Sequence, residues 1–128
     1  MKKTCSLTSV SLFAFSFIAA IMLFPSSASA HAPDLQLSYD AGSKNLTVTI
    51  THSSPMPSKH YIKLVGVKKN GASVVSQEYS SQPADSPFIY TYTIPAAEGD
   101  ILQVTGVCSF FGSKTVEVKV AGKAEKTK

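Results

Sequence analysis

Six residues, Leu46-Thr47-Val48-Thr49-Ile50-Thr51, alternate an apolar side chain with threonine without a break. Successive side chains of a strand point to opposite faces, so this spacing puts Leu46, Val48 and Ile50 on one side and the threonines on the other. Most of the six are β-branched, which suits a pleated, half-buried surface and disfavours a helix. The same grammar recurs along the chain. Leu35 to Tyr39 precedes a turn at Asp40-Ala41-Gly42-Ser43, and His60 to Lys68 leads to Asn70-Gly71, a strong hairpin signal. Ala72 to Tyr79 reads as the returning strand. Phe88 to Ile94, Ile101 to Phe110 and Thr115 to Val120 complete about seven short strands, with no amphipathic helix of useful length. Seven antiparallel strands in a domain of this size predict an immunoglobulin-like β-sandwich.

The first 30 residues read differently. Lys2 and Lys3 precede a largely apolar run of 13, Leu12 to Phe24, and Ala28-Ser29-Ala30 offers the small-x-small pattern of a signal-peptidase site. A run that short falls below the roughly 20 residues a bilayer span needs. The expected organisation is a signal peptide at 1–30, a sandwich domain at 31–121 and a flexible basic tail at 122–128. Cleavage between Ala30 and His31 would yield an exported protein, periplasmic or secreted, with no membrane span in its mature form. Without Lys2 and Lys3, ten lysines face eight acids, and arginine is absent throughout. Lysines so few and scattered make no phosphate-neutralising face, which argues against a nucleic-acid partner.

Cleavage also removes Cys5, which precedes the apolar run, and leaves Cys108 as the mature chain's one thiol. In a compartment that favours disulfides, an odd cysteine implies a dimer bridge, a buried inert thiol or a metal thiolate. Cys108 shares strand parity with Leu102 and Val104, which also fits a core thiol. The segments that signal hydrolases or phosphate binding are missing. The histidines are distinctive instead: His31 would open the mature chain, His52 ends the second strand, and His60 begins the third. All three therefore fall at strand ends or a terminus, where the loops of a sandwich gather. Imidazoles plus a thiolate suit iron, zinc or copper, not magnesium or calcium.

Pro55-Met56-Pro57-Ser58-Lys59-His60-Tyr61-Ile62, with His52 just ahead, resembles the iron domain of the superoxide reductases (desulfoferrodoxin, neelaredoxin). His31-Ala32-Pro33 is similar to the His-x-Pro near that domain's start, and Cys108-Ser109-Phe110-Phe111-Gly112 stands where the family has its Cys-Asn-x-His-Gly segment. The resemblance implies a mononuclear non-haem iron held by His31, His52, His60 and Cys108, with Phe111 at the place of the family's fourth histidine. It implies one-electron reduction of superoxide to hydrogen peroxide, with Lys59 drawing in the anion. An external electron donor is implied as well, since the family's rubredoxin-like domain needs four more cysteines. Two other readings follow from the residues. An N-terminal His31 can chelate copper through its amine and ring, with His52 or His60 as a second imidazole. A metal-free binding sandwich would instead let Phe110 and Phe111 fill the space of a lost ligand.

Overall fold

The structure is a computed structural model that describes residues 32–122. The expected signal peptide at 1–30, His31 and nearly all of the expected tail lie outside the described residues. Seven strands are present: β1 (Asp34–Asp40), β2 (Asn45–Thr51), β3 (Ile62–Lys69), β4 (Ala72–Glu78), β5 (Phe88–Thr93), β6 (Ile101–Cys108) and β7 (Ser113–Lys119). They form two antiparallel sheets, one ordered β1-β2-β5 and the other β4-β3-β6-β7. This is an immunoglobulin-like sandwich in which the fourth strand pairs with the third, whereas constant-type domains hand it to the opposite sheet.

The alternation that signals the strands also builds the core. Leu46, Val48 and Ile50 from β2 are fully buried, and Ile62, Val65, Val67, Leu102 and Val104 face them from β3 and β6. Cutting one of these side chains back to alanine costs about 2–5 kcal/mol. Gly106 breaks the inward row of β6 for a reason of space. A methyl group there would sit 3.3 Å from Leu35 Cδ2 and 3.5 Å from Pro33 Cγ, so the glycine admits the start of β1 against β6.

Turns fix the registers. Asn70 and Gly71 both take positive φ, 50° and 85°, the two-residue hairpin geometry that their side chains permit. On one open side of the sandwich the Tyr79 ring stacks on Tyr90 at 4.4 Å, and the Tyr79 and Tyr92 hydroxyls meet at 2.7 Å. Tyr79 follows β4 while Tyr90 and Tyr92 belong to β5, so this cluster bridges the two sheets between edge strands. Elsewhere the Tyr39 hydroxyl donates to the Ile94 carbonyl at 2.8 Å, tying the end of β1 to the chain beyond β5.

Strand ends depart from the sequence reading where local hydrogen bonds intervene. β3 starts at Ile62 and not His60, because the His60 N–H turns back to the Met56 carbonyl. β6 stops at Cys108 and not Phe110, because the Cys108 N–H closes a hairpin loop on the Gly112 carbonyl. β7 begins two residues earlier than expected, at Ser113, directly after that loop.

Candidate metal centre

The inward rows of two facing strands end in donor side chains. On β2 the buried positions Leu46, Val48 and Ile50 continue by one step to His52, which is 5% exposed. On β6 the row Leu102, Val104, Gly106 continues to Cys108, which is 2% exposed. One strand belongs to each sheet and both rows end at the same end of the sandwich. The last rung of the core is thus a histidine facing a cysteine.

The third donor arrives through a turn. Pro57 holds the second position of a turn whose Met56 carbonyl accepts from the Lys59 and His60 N–H groups, both at 2.9 Å. Ser109 then fastens this segment to the end of β6. Its hydroxyl accepts from the Tyr61 N–H at 3.1 Å and donates to the Lys59 carbonyl at 3.2 Å, while its own N–H donates to the Tyr61 carbonyl at 2.8 Å. With its chain neighbours gripped on both sides, half-buried His60 places Nε2 3.1 Å from Cys108 Sγ. Its ring also meets His52 edge to face, with centroids 4.7 Å apart. One donor atom from each of His52, His60 and Cys108 lies within 4.8 Å of the other two.

Gln82, in the connection between β4 and β5, organises the buried side of this cluster. Its Nε2 donates to the His52 carbonyl at 2.7 Å, and its Oε1 accepts from the Ile62 N–H at 3.2 Å. The His52 main-chain N–H donates to the Ser86 hydroxyl at 3.0 Å. Gln82 Oε1 also lies 2.7 Å from His52 Nδ1. With Nδ1 so engaged, His52 Nε2 is buried without any hydrogen-bond partner, alone in this respect among the described residues. An orphaned buried nitrogen costs free energy unless something occupies it, and its ring meets an imidazole edge to face and groups with a thiol. The donor set fits a borderline or soft transition ion.

Other expected residues fall as follows. Lys59 is exposed on the turn that carries His60. His31 lies outside the described residues. Pro33, two positions along, is buried and packs toward Gly106, one inward step from Cys108. Phe110 meets the His60 ring at 5.1 Å, whereas Phe111 is 77% exposed at the tip of the β6–β7 loop and fills no ligand space. Sequence reading missed Gln82 and Ser109. Gln82 carries no periodic or motif signal and Ser109 only its place beside Cys108, whereas extending the β2 alternation by one residue marks His52 as inward.

No family model matches the chain, and no curated protein matches it. Among solved structures, a superoxide reductase from Nanoarchaeum equitans is similar at 14% sequence identity, over 70% of this chain and 92% of that one, with a TM-score of 0.41.

Proposed function

We propose that this chain is an exported mononuclear metal protein whose centre is built from His52, His60 and Cys108, with iron as the ion and superoxide as the substrate. The observation that carries the metal reading is the unpartnered, buried Nε2 of His52, a residue whose ring donors group with a second imidazole and a thiol. The large majority of buried side-chain polar atoms in folded proteins have a hydrogen-bond partner, so an exception calls for an occupant. The finer reading draws on the resemblance of the three donor-bearing segments to superoxide reductase iron domains. His31 is the proposed fourth ligand, since the chain enters β1 at the end of the sandwich where His52 and Cys108 lie.

Bound iron would supply the single electron that, together with two protons, converts superoxide to hydrogen peroxide, and an external donor would restore it. The chain's own residues do the rest. Cys108, buried at the end of β6, offers sulfur from the protein interior. His60 lies on the half-exposed side, so a small anion approaches past its ring. Exposed Lys59 next to it raises the local concentration of that anion.

Two imidazoles and a thiolate are also a donor set that copper accepts, which makes copper the second reading. The deciding experiment is metal analysis of the cleaved protein with a visible spectrum after oxidation. Near-stoichiometric iron with a thiolate charge-transfer band that disappears in Cys108→Ser supports the proposal. Copper binding that survives Cys108→Ser and fails when a residue is added before His31 replaces it with amino-terminal chelation. No bound metal, with folding unchanged by chelator, overturns it in favour of a metal-free binding sandwich.

A further inference from the structure

We infer that Gln82 is a positioning residue that sets the tautomer of His52, holding the proton on Nδ1 and leaving the Nε2 lone pair for a metal. The argument begins with which way the Gln82 amide points. An Asn or Gln amide is ambiguous when its neighbours could accept or donate. Here two main-chain groups remove the ambiguity. The His52 carbonyl only accepts, so it requires the amide NH2, which lies 2.7 Å away. The Ile62 N–H only donates, so it requires the amide oxygen at 3.2 Å. Reversing the amide would break both contacts at once.

With the oxygen fixed, its 2.7 Å contact to His52 Nδ1 is a hydrogen bond only if Nδ1 carries the hydrogen. In a neutral ring Nε2 is then the bare nitrogen, and it is the buried atom with no partner. A ring nitrogen that binds a metal needs its opposite N–H anchored, and that anchor fixes both the tautomer and the ring plane. Gln82 does this with a neutral oxygen, so the imidazole gains orientation without a second negative charge beside the thiol. Its position is held in turn by its own N–H, which donates to the Pro57 carbonyl at 3.2 Å. The 7%-exposed side chain therefore joins the end of β2 to the start of β3, and the residue's main chain ties both to the turn carrying His60.

The tautomer half of this inference stands on hydrogen bonding alone, while the metal half rests on the reading proposed above. Both are tested on the metal-free chain at about pH 8.5, well above the ordinary histidine range. Ring 15N chemical shifts, assigned with His52→Ala, are expected to show Nδ1 protonated and Nε2 bare. Gln82→Met, which keeps the volume and removes the amide, should shift His52 toward the Nε2–H form. It should also weaken cobalt(II) binding, followed by its thiolate and ligand-field bands, by about 10–100-fold. Gln82→Glu keeps an acceptor opposite Nδ1 and should restore the wild-type tautomer. An Nε2–H tautomer in the wild-type protein overturns the inference even if Gln82→Met fails to fold. So does a Gln82→Met variant with wild-type ring shifts and wild-type cobalt affinity. Should the tautomer respond as expected while no form of the protein binds cobalt, Gln82 keeps its role and the metal reading falls.

Discussion

Two polar clusters interrupt the apolar interior, and they are built on opposite logic. On the β4–β5 side the Tyr79 and Tyr92 hydroxyls satisfy each other at 2.7 Å, and the rings stack across the sheet edges. At the end where β2 and β6 finish, the contacts among His52, His60, Cys108 and Gln82 leave one buried nitrogen over. The tyrosine cluster is closed: every group it buries has its counterpart, and it serves the fold. The histidine cluster carries an unused valence, and a small domain tolerates that cost where a ligand repays it.

Adding metal is the strongest test of this contrast. An ion present at a hundredfold excess over its dissociation constant should stabilise the protein by about 2.7 kcal/mol, seen as a raised melting temperature. His52→Ala and Cys108→Ser should each remove that increment, whereas Tyr79→Phe should leave it intact. The converse test strikes the tyrosines. Tyr79→Phe strands the Tyr92 hydroxyl and should cost about 1–3 kcal/mol in denaturant titrations. Tyr79→Phe with Tyr92→Phe should recover much of that loss, because neither hydroxyl is then unpaired. If Tyr79→Phe instead weakens metal binding, the two clusters are coupled and the contrast fails.

Smaller effects follow from titration. Burial, and next the hydrogen bond with Tyr79, hold the Tyr92 phenol well above its usual range, and burial followed by the Tyr79 charge raises Tyr90. A phenol whose folded pKa exceeds its unfolded value of about 10 contributes stability that is present below that value and lost as pH rises above it. Unfolding followed from pH 9 upward should show this decline, and Tyr92→Phe should flatten it. The least effect is expected at Asp100, partly exposed in the turn before β6. Its carboxylate accepts from the Ala97 N–H and then the Asn70 amide, which lower its pKa. That contribution is present above the ordinary carboxylate value and fades as pH falls through the lowered one. Asp100→Asn should slightly reduce the acid sensitivity of unfolding and leave metal binding unchanged.

The fold was legible because its strands obey period two and its turns use residues with the required backbone freedom, as at Asn70-Gly71. Cys108 was placed on the inward face by parity with Leu102 and Val104, and His52 follows from the same rule carried one residue beyond β2. Gln82 was not legible. It sits in Ser80-Ser81-Gln82-Pro83, an ordinary loop sequence, and gains its role only when the β4–β5 connection passes behind His52. Phe111 illustrates the reverse error. Its place in the sequence suggested a side chain filling a vacated ligand position, but a tight hairpin loop closed by Cys108 and Gly112 turns it outward. Order along a motif constrains neighbours in the chain, while the direction of a loop side chain depends on which hydrogen bond closes the loop.

His52 hangs from the three-stranded sheet, while Cys108 and the turn bearing His60 belong to the four-stranded one. An ion gripped by all three would therefore act as a rivet between the sheets, closing long loops of chain as a disulfide does in small disulfide-bonded domains. A rivet of this kind differs from a covalent bridge in one respect. It can be withdrawn by a chelator or loosened by a change of oxidation state, so the cohesion of the sandwich at that end becomes a readout of the ion it holds.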